Sequence, residues 1–139
     1  MKKLVLIPLI ASFLTSINMS ASFALPKKNK FPACSSEKVI KKISKRFNKT
    51  EKTYWETRGL VLNTVIKTHL HNDNAFPESP IKRRYCHGDA IFENGKKRRI
   101  HYLIEQGTGF AGFTWNVEYC IHGLDPWKYY DGRCQVLSQ

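Results

Sequence analysis

All four cysteines of this chain, at positions 34, 86, 120 and 134, lie downstream of an N-terminal segment built like an export signal. Lys2 and Lys3 supply a positive start, and Leu4 to Ile17 is an apolar run interrupted only by Pro8, Ser12, Thr15 and Ser16. Ser22-Phe23-Ala24 offers small residues where a signal peptidase reads, so cleavage is expected after Ala24. The cysteines then enter an oxidising space, periplasmic or extracellular, in which disulfides persist. Cys34 stands behind Lys-rich sequence rather than directly after the apolar run, which argues against a lipoprotein.

Removing residues 1–24 from 139 leaves 115, enough for one domain and too few for two. The expected organisation is a signal peptide over 1–24, a flexible basic lead-in over 25–33 and one globular domain over 34–139. The signal takes two lysines and no acid with it, so the net charge of +12 becomes +10. Such a surface favours anionic partners: phosphorylated lipid headgroups, acidic glycans or an acidic protein. Export makes nucleic acid an unfavoured partner, and no second apolar stretch is long enough to span a bilayer. Peripheral contact with a membrane is compatible with this charge.

Ser35 and Ser36 are N-cap candidates and Glu37 suits a first helical turn. Val39, Ile40, Ile43 and Phe47 follow at helical spacing among Lys38, Lys41, Lys42, Lys45, Arg46 and Lys49, predicting an amphipathic helix over 36–48. From Thr53 to Leu70 the composition turns β-branched and aromatic, predicting one long or two short strands with Gly59 as a bulge. Asn72-Asp73-Asn74 and Pro77 to Pro80 read as loop. Arg84 to Phe92 and Arg98 to Glu105 read as a hairpin turned by Asn94-Gly95. Thr114 to Ile121 reads as the last strand. One helix followed by consecutive strands predicts an α+β fold. In it an N-terminal amphipathic helix packs on a curled antiparallel sheet of four to five strands, in the order of cystatin-like or NTF2-like proteins. A small all-β barrel with a peripheral helix is the alternative.

Four cysteines allow three pairings. The favoured set is Cys34–Cys86, tying the helix start to the sheet, with Cys120–Cys134 closing a short aromatic loop. Cys86–Cys120 with Cys34–Cys134 is the rival. No C-x-x-C motif and no odd thiol points to redox chemistry.

Gly107-Thr108-Gly109-Phe110-Ala111-Gly112 matches the G-x-G-x-x-G pattern, but a strand rather than a helix follows it. The amides that would meet a pyrophosphate are therefore missing, and no cofactor is expected. His69 and His71 stand two apart in a predicted strand and face one side. With His87, His101 or His122 they are candidate zinc or copper ligands, weighed against ordinary solvated histidines. Histidines beside lysines in a small, basic, exported chain also resemble the makeup of secreted ribonucleases. Such chemistry needs two histidines as acid and base across a phosphate, here drawn from His69, His87, His101 and His122, with Lys97 or Arg99 on the developing charge. Nothing in their spacing joins any two, no G-x-S-x-G elbow occurs, and an enzyme is not indicated. Lys82-Arg83-Arg84 and Lys96-Lys97-Arg98-Arg99 flank opposite ends of one predicted strand pair and are candidates for a cationic surface. Trp127, Tyr129 and Tyr130 are candidate contacts to sugars or a protein. Asn48-Lys49-Thr50 fits the glycosylation acceptor pattern, which matters only in a eukaryotic route.

Tyr85-Cys86, Tyr102-Leu103-Ile104-Glu105, Gly109-Phe110-Ala111-Gly112, Trp115-Asn116-Val117-Glu118-Tyr119-Cys120 and Gly123-Leu124-Asp125-Pro126-Trp127, followed by Cys134, resemble a family of small exported alphaproteobacterial proteins. The resemblance covers roughly residues 83–134. It implies bacterial export and therefore the periplasm, and it carries no catalytic or binding residue. The expectation is an exported binding module with a cationic and aromatic surface for an anionic envelope component or a protein partner. A histidine-dependent phosphodiester hydrolase is the alternative.

Overall fold

Val39, Ile43 and Phe47 recur every fourth residue and form the buried stripe of a helix, α1, spanning Glu37–Tyr54. The computed structural model describes residues 31–55, 58–73 and 77–139, so the expected signal peptide and most of the lead-in lie outside the described residues. The helix runs six residues past its expected end because the stripe continues at Glu51, a carboxylate that is 5% exposed. That polar residue interrupts the apolar pattern. Arg58 makes its burial tolerable by donating from both Nε and a terminal nitrogen to the Glu51 carboxylate.

Four strands follow: β1 (Leu62–Asp73), β2 (Arg83–Phe92), β3 (Lys97–Gln106) and β4 (Trp115–Ile121). They pair in sequence order as one antiparallel sheet, so the α+β expectation with four strands holds. Gly59 sits in the α1–β1 connection and not in a strand, and Asn72 and Asp73 belong to β1 rather than to a loop. The hairpin at Asn94-Gly95 is wider than a two-residue turn. Gly95 takes φ +77°, and Phe92 N–H donates across it to the Lys96 carbonyl at 3.0 Å.

Alternation along the strands assigns one face to the helix. Cys86, Ala90 and Phe92 of β2, Ile100, Tyr102 and Ile104 of β3, and Val117 and Ile121 of β4 join the helical stripe in a single core. Two cations tie α1 to the neighbouring edge: Lys42 donates to the Trp115 carbonyl at 3.3 Å, and Arg46 donates to that of Val117. On the other edge Asn48 acts as a surrogate strand residue. Its side-chain oxygen accepts from Leu62 N–H at 2.7 Å and its amide donates to the Leu62 carbonyl at 3.1 Å. The glycosylation pattern at Asn48 thus falls on an amide already committed to starting β1.

Both favoured disulfides are present, Cys34–Cys86 and Cys120–Cys134. The first spans 52 positions and brings the chain before α1 onto the sheet, where the buried Tyr102 hydroxyl donates to the Cys34 carbonyl at 2.8 Å. Loop-closure entropy gives such a bridge about 4 kcal/mol and the 14-position Cys120–Cys134 bridge about 3 kcal/mol. Phe31, from the expected lead-in, packs against the core and lies under the Arg84 guanidinium. Cys120–Cys134 anchors the C-terminal segment on the sheet's second face, where Tyr85, Leu103 and Leu137 form a smaller cluster.

Asn48→Ala leaves the Leu62 N–H and carbonyl without their partner and is expected to cost about 1–3 kcal/mol in urea unfolding. Asn48→Asp keeps the acceptor and loses the donor, so its midpoint is expected between those of wild type and the alanine variant.

Candidate functional site

The same alternation that commits one face to the helix puts His87 and Asp89 of β2, and Arg99 and His101 of β3, on the other. Register then aligns the rings. His69 of β1 pairs with His87, and His87 pairs with His101. Ring centroids lie 5.5 Å apart for His69 and His87, 6.1 Å for His87 and His101, and 5.1 Å for His101 and His122. His71 approaches His87 at 5.9 Å. All five histidines of the chain therefore form one row across four strands, with His122 just past the end of β4.

The row depends on an irregularity in β1. Pairing slips between Ile66 and His69, where Lys67 takes φ +48°, and slips again between Leu70 and Asn72. Gly88 makes room for the first slip, because a Cβ there would lie 2.9 Å from the Ile66 carbonyl oxygen. A bulged strand re-aims its side chains. Here it leaves His69 opposite His87 and His71 within ring contact of the same imidazole.

Burial first, and then neighbouring charge, disfavours the protonated form of three of these imidazoles. His101 is driven down to about 4, first by burial and then by the charges of His122, His87, Arg99 and His71. His87 is lowered by burial, then by Arg99, His69 and His71, with Asp89 opposing. His122 is lowered by burial and then by Arg99. Its Nε2 is closed off from solvent with no hydrogen-bond partner. The rings of His101 and His122 are stacked at an interplanar angle of 15°.

Other expected site residues are dispersed. The two basic clusters do flank opposite ends of the β2–β3 pair, since Arg83 pairs with Glu105 and Ile91 with Lys97. Arg83 and Arg84 are engaged internally, Arg83 with Glu105 and Ser79, Arg84 with Asp73 and the Pro32 carbonyl. Arg98 donates to the His122 carbonyl at 3.0 Å, and Lys97 lies 3.7 Å from Asp89. Lys82, Lys96 and Arg99 are exposed. The histidine row and Arg99 thus supply the cationic capacity of this face, a grouping that the residues' spacing in the sequence did not reveal.

Trp127 and Tyr129 are exposed, whereas Tyr130 packs against the Cys120–Cys134 cluster and burial pushes its hydroxyl up to about 12. Trp127 meets Trp55 at 5.0 Å beside a shallow cleft that also holds Phe47, Tyr119 and the Glu51–Arg58 pair. The carboxylates of that cleft are engaged: Glu51 by Arg58, and Asp125 by the N–H groups of Tyr129 and Tyr130. Gly107 to Gly112 runs into β4, a strand, so no helix N-terminus faces it. His69 and His71, the candidate zinc or copper ligands, stand with His87. Among the described residues no three His, Cys, Asp or Glu groups are arranged to hold a metal ion. No helix among them is long and apolar enough to cross a membrane.

No protein-family model, curated protein or solved structure matches this chain.

The depressed His101 value has a thermodynamic consequence. Its folded pKa of about 4 lies below the ordinary 6.5, so the unfolded chain binds the proton more readily. Stability is full above about 6.5 and falls as the pH drops toward 4. Allowing for solvent screening of a part-buried ring, the loss is on the order of 1–2 kcal/mol. Thermal melts of wild type and His101→Gln across this range are expected to converge at acid pH, with the variant showing the flatter profile. Parallel profiles would remove this residue as the source.

Proposed function

We propose that this protein is an exported binding module, periplasmic or secreted, whose open sheet face takes an anionic envelope glycan. The observation that carries the reading is the row of five histidines at ring spacings of 5.1 to 6.1 Å, with Arg99 beside it. Rings spaced by the width of a strand offer a repeating set of donors to a linear polyanion lying across the sheet. His87, His101 and His122, whose charged forms burial and neighbouring charge disfavour, take up protons when a negative ligand lies over them, so binding strengthens as pH falls. The +10 charge of the chain after Ala24 adds long-range attraction that salt screens. Two disulfides, the signal-like N-terminus and the resemblance to exported alphaproteobacterial proteins support the compartment. The helix-then-meander order supports a cystatin-like or NTF2-like arrangement for the scaffold.

A second reading, histidine-dependent phosphodiester hydrolysis, is favoured by the His101–His122 spacing of 5.1 Å with Arg99 acting on both rings. Two imidazoles within about 7 Å are close enough to serve as acid and base on one phosphate. Against it, the aromatic cleft by Trp55 contains no histidine.

Heparin, as a model acidic glycan, is expected to retain the oxidised protein more strongly at pH 5.5 than at pH 7.5 at fixed salt. Each proton taken up on binding makes the affinity rise about tenfold per pH unit. Replacing His69, His87, His101 and His122 by glutamine is expected to abolish the pH dependence and leave a weaker, salt-sensitive remainder. Retention indifferent to pH in the wild type removes the glycan reading. Cleavage of RNA or of bis-p-nitrophenyl phosphate that is lost in His101→Gln establishes the hydrolase instead, and no cleavage dismisses it.

A further inference from the structure

We propose that the β3–β4 tip is a membrane-docking finger, in which Phe110 and Phe113 enter the interface of an anionic bilayer while lysines beside the tip meet its headgroups. This surface is separate from the histidine row and stands on different residues.

Phe110 is 88% exposed and Phe113 is 69% exposed, three positions apart on one loop. Two largely exposed phenylalanines on one short loop leave apolar surface in water and mark a contact surface. Their loop is also free of charge: from Gln106 to Val117 there is no Asp, Glu, Lys or Arg, in a chain that is 24% charged. Part of its backbone is bonded internally, which lowers the cost of entering a poorly hydrated layer. Gly109 N–H donates to the Thr114 carbonyl at 3.0 Å, Gly112 N–H to Gly109 at 3.2 Å and Phe113 N–H to Phe110 at 3.1 Å. Gly109 permits this closure, since a Cβ there would lie 1.7 Å from Thr114 Oγ1.

Charge complementarity selects the occupant. Lys42 reaches the Trp115 carbonyl and ring, while Arg46, one turn on, reaches Val117. The helix therefore runs alongside β4 in the same direction, and Lys38, one turn before Lys42, stands level with the tip. Lys82, just before β2, flanks the tip, its carbonyl accepting from Gln106 N–H at 3.0 Å. Three acids at this end are engaged, Glu37 with Lys41, Glu105 with Arg83 and Asp73 with Arg84, which leaves Glu78 of the β1–β2 connection as an exposed acid beside the lysines. Lys38, Lys42 and Lys82 have no acidic partner among the described residues. Phe31 also lies at this end, under the Arg84 guanidinium. Apolar rings ringed by cations match a bilayer of anionic headgroups over an acyl interior.

The test is flotation of the oxidised protein with vesicles of 30% phosphatidylglycerol in phosphatidylcholine, and with phosphatidylcholine alone. Wild type is expected to float with the anionic vesicles, with at least tenfold weaker binding to the neutral ones. Phe110→Ser/Phe113→Ser is expected to lose tenfold or more on anionic vesicles at unchanged melting temperature. Lys38→Gln/Lys82→Gln is expected to erode the preference for anionic lipid. Because a serine variant reports only loss, Phe110→Trp supplies a direct signal: added fluorescence that shifts to the blue on anionic vesicles and is quenched by brominated acyl chains. Absence of flotation, flotation unaffected by the double serine variant, or an unshifted Phe110→Trp signal in the bound protein overturns the proposal. Concentration-dependent self-association of the wild type that the serine variant abolishes, without vesicle binding, assigns the tip to a second copy of the chain and also overturns it.

Discussion

Burial of the stripe Val39, Ile43 and Phe47 against one side of the sheet governs the rest of this structure. A helix of α1's length is marginal by itself, and its stability comes from that apolar contact. Once Ile100, Tyr102 and Ile104 turn toward the helix, the period of two leaves no choice for Arg99 and His101. They emerge on the opposite face, and antiparallel register carries the same decision to His87 and His69. The histidine row is thus a by-product of core packing that has been given a common face. The helix approaches both edge strands, β1 and β4, so the sheet curves around it and its second face stays open in the middle. Among the described residues, the segment held by Cys120–Cys134 covers part of that face.

Much of this frame was legible in the residues. Alternation identified β2 and β3 nearly to the residue, and Asn94-Gly95 identified their turn. The spacing of the cysteines does not decide among three pairings, and the favoured set is the one formed. Legibility failed where a polar residue occupies a core position or where a strand departs from regular pleating. Glu51 stands in the helical stripe as a buried carboxylate paired with Arg58, so the pattern appeared to stop at Phe47 two turns too soon. Residues 53–61 carry β-branched and aromatic side chains, but Tyr54 completes the helix and β1 starts only where Asn48 receives Leu62.

The site was harder to see than the fold for a definite reason. Joining five histidines needs three registers at once, and one of them passes through a bulge that pairing rules do not anticipate. His87 and His101 were within reach, since a hairpin closed at Gly95 puts them opposite each other once its loop is counted as three residues. His69 was not, because Lys67 at φ +48° shifts the phase of β1 and the signal for that shift lies on another strand, in Gly88. The cationic clusters were conspicuous in sequence for the opposite reason. Arg83 and Arg84 sit side by side, yet each is engaged by acids that arrive from Glu105 and Asp73.

The imidazoles differ physically from those arginines and lysines. An arginine carries its charge at every relevant pH, so a partner close by neutralises it permanently. A histidine held neutral by its neighbours carries no charge until something compensates for it. His101 has His87 on one side and His122 on the other, and protonating any one of the three raises the cost for the next. An anion lying along the row removes that mutual penalty for several rings together, so proton uptake and ligand binding become a single coupled event. What the core imposes as geometry, crowding converts into a face whose charge depends on what lies against it.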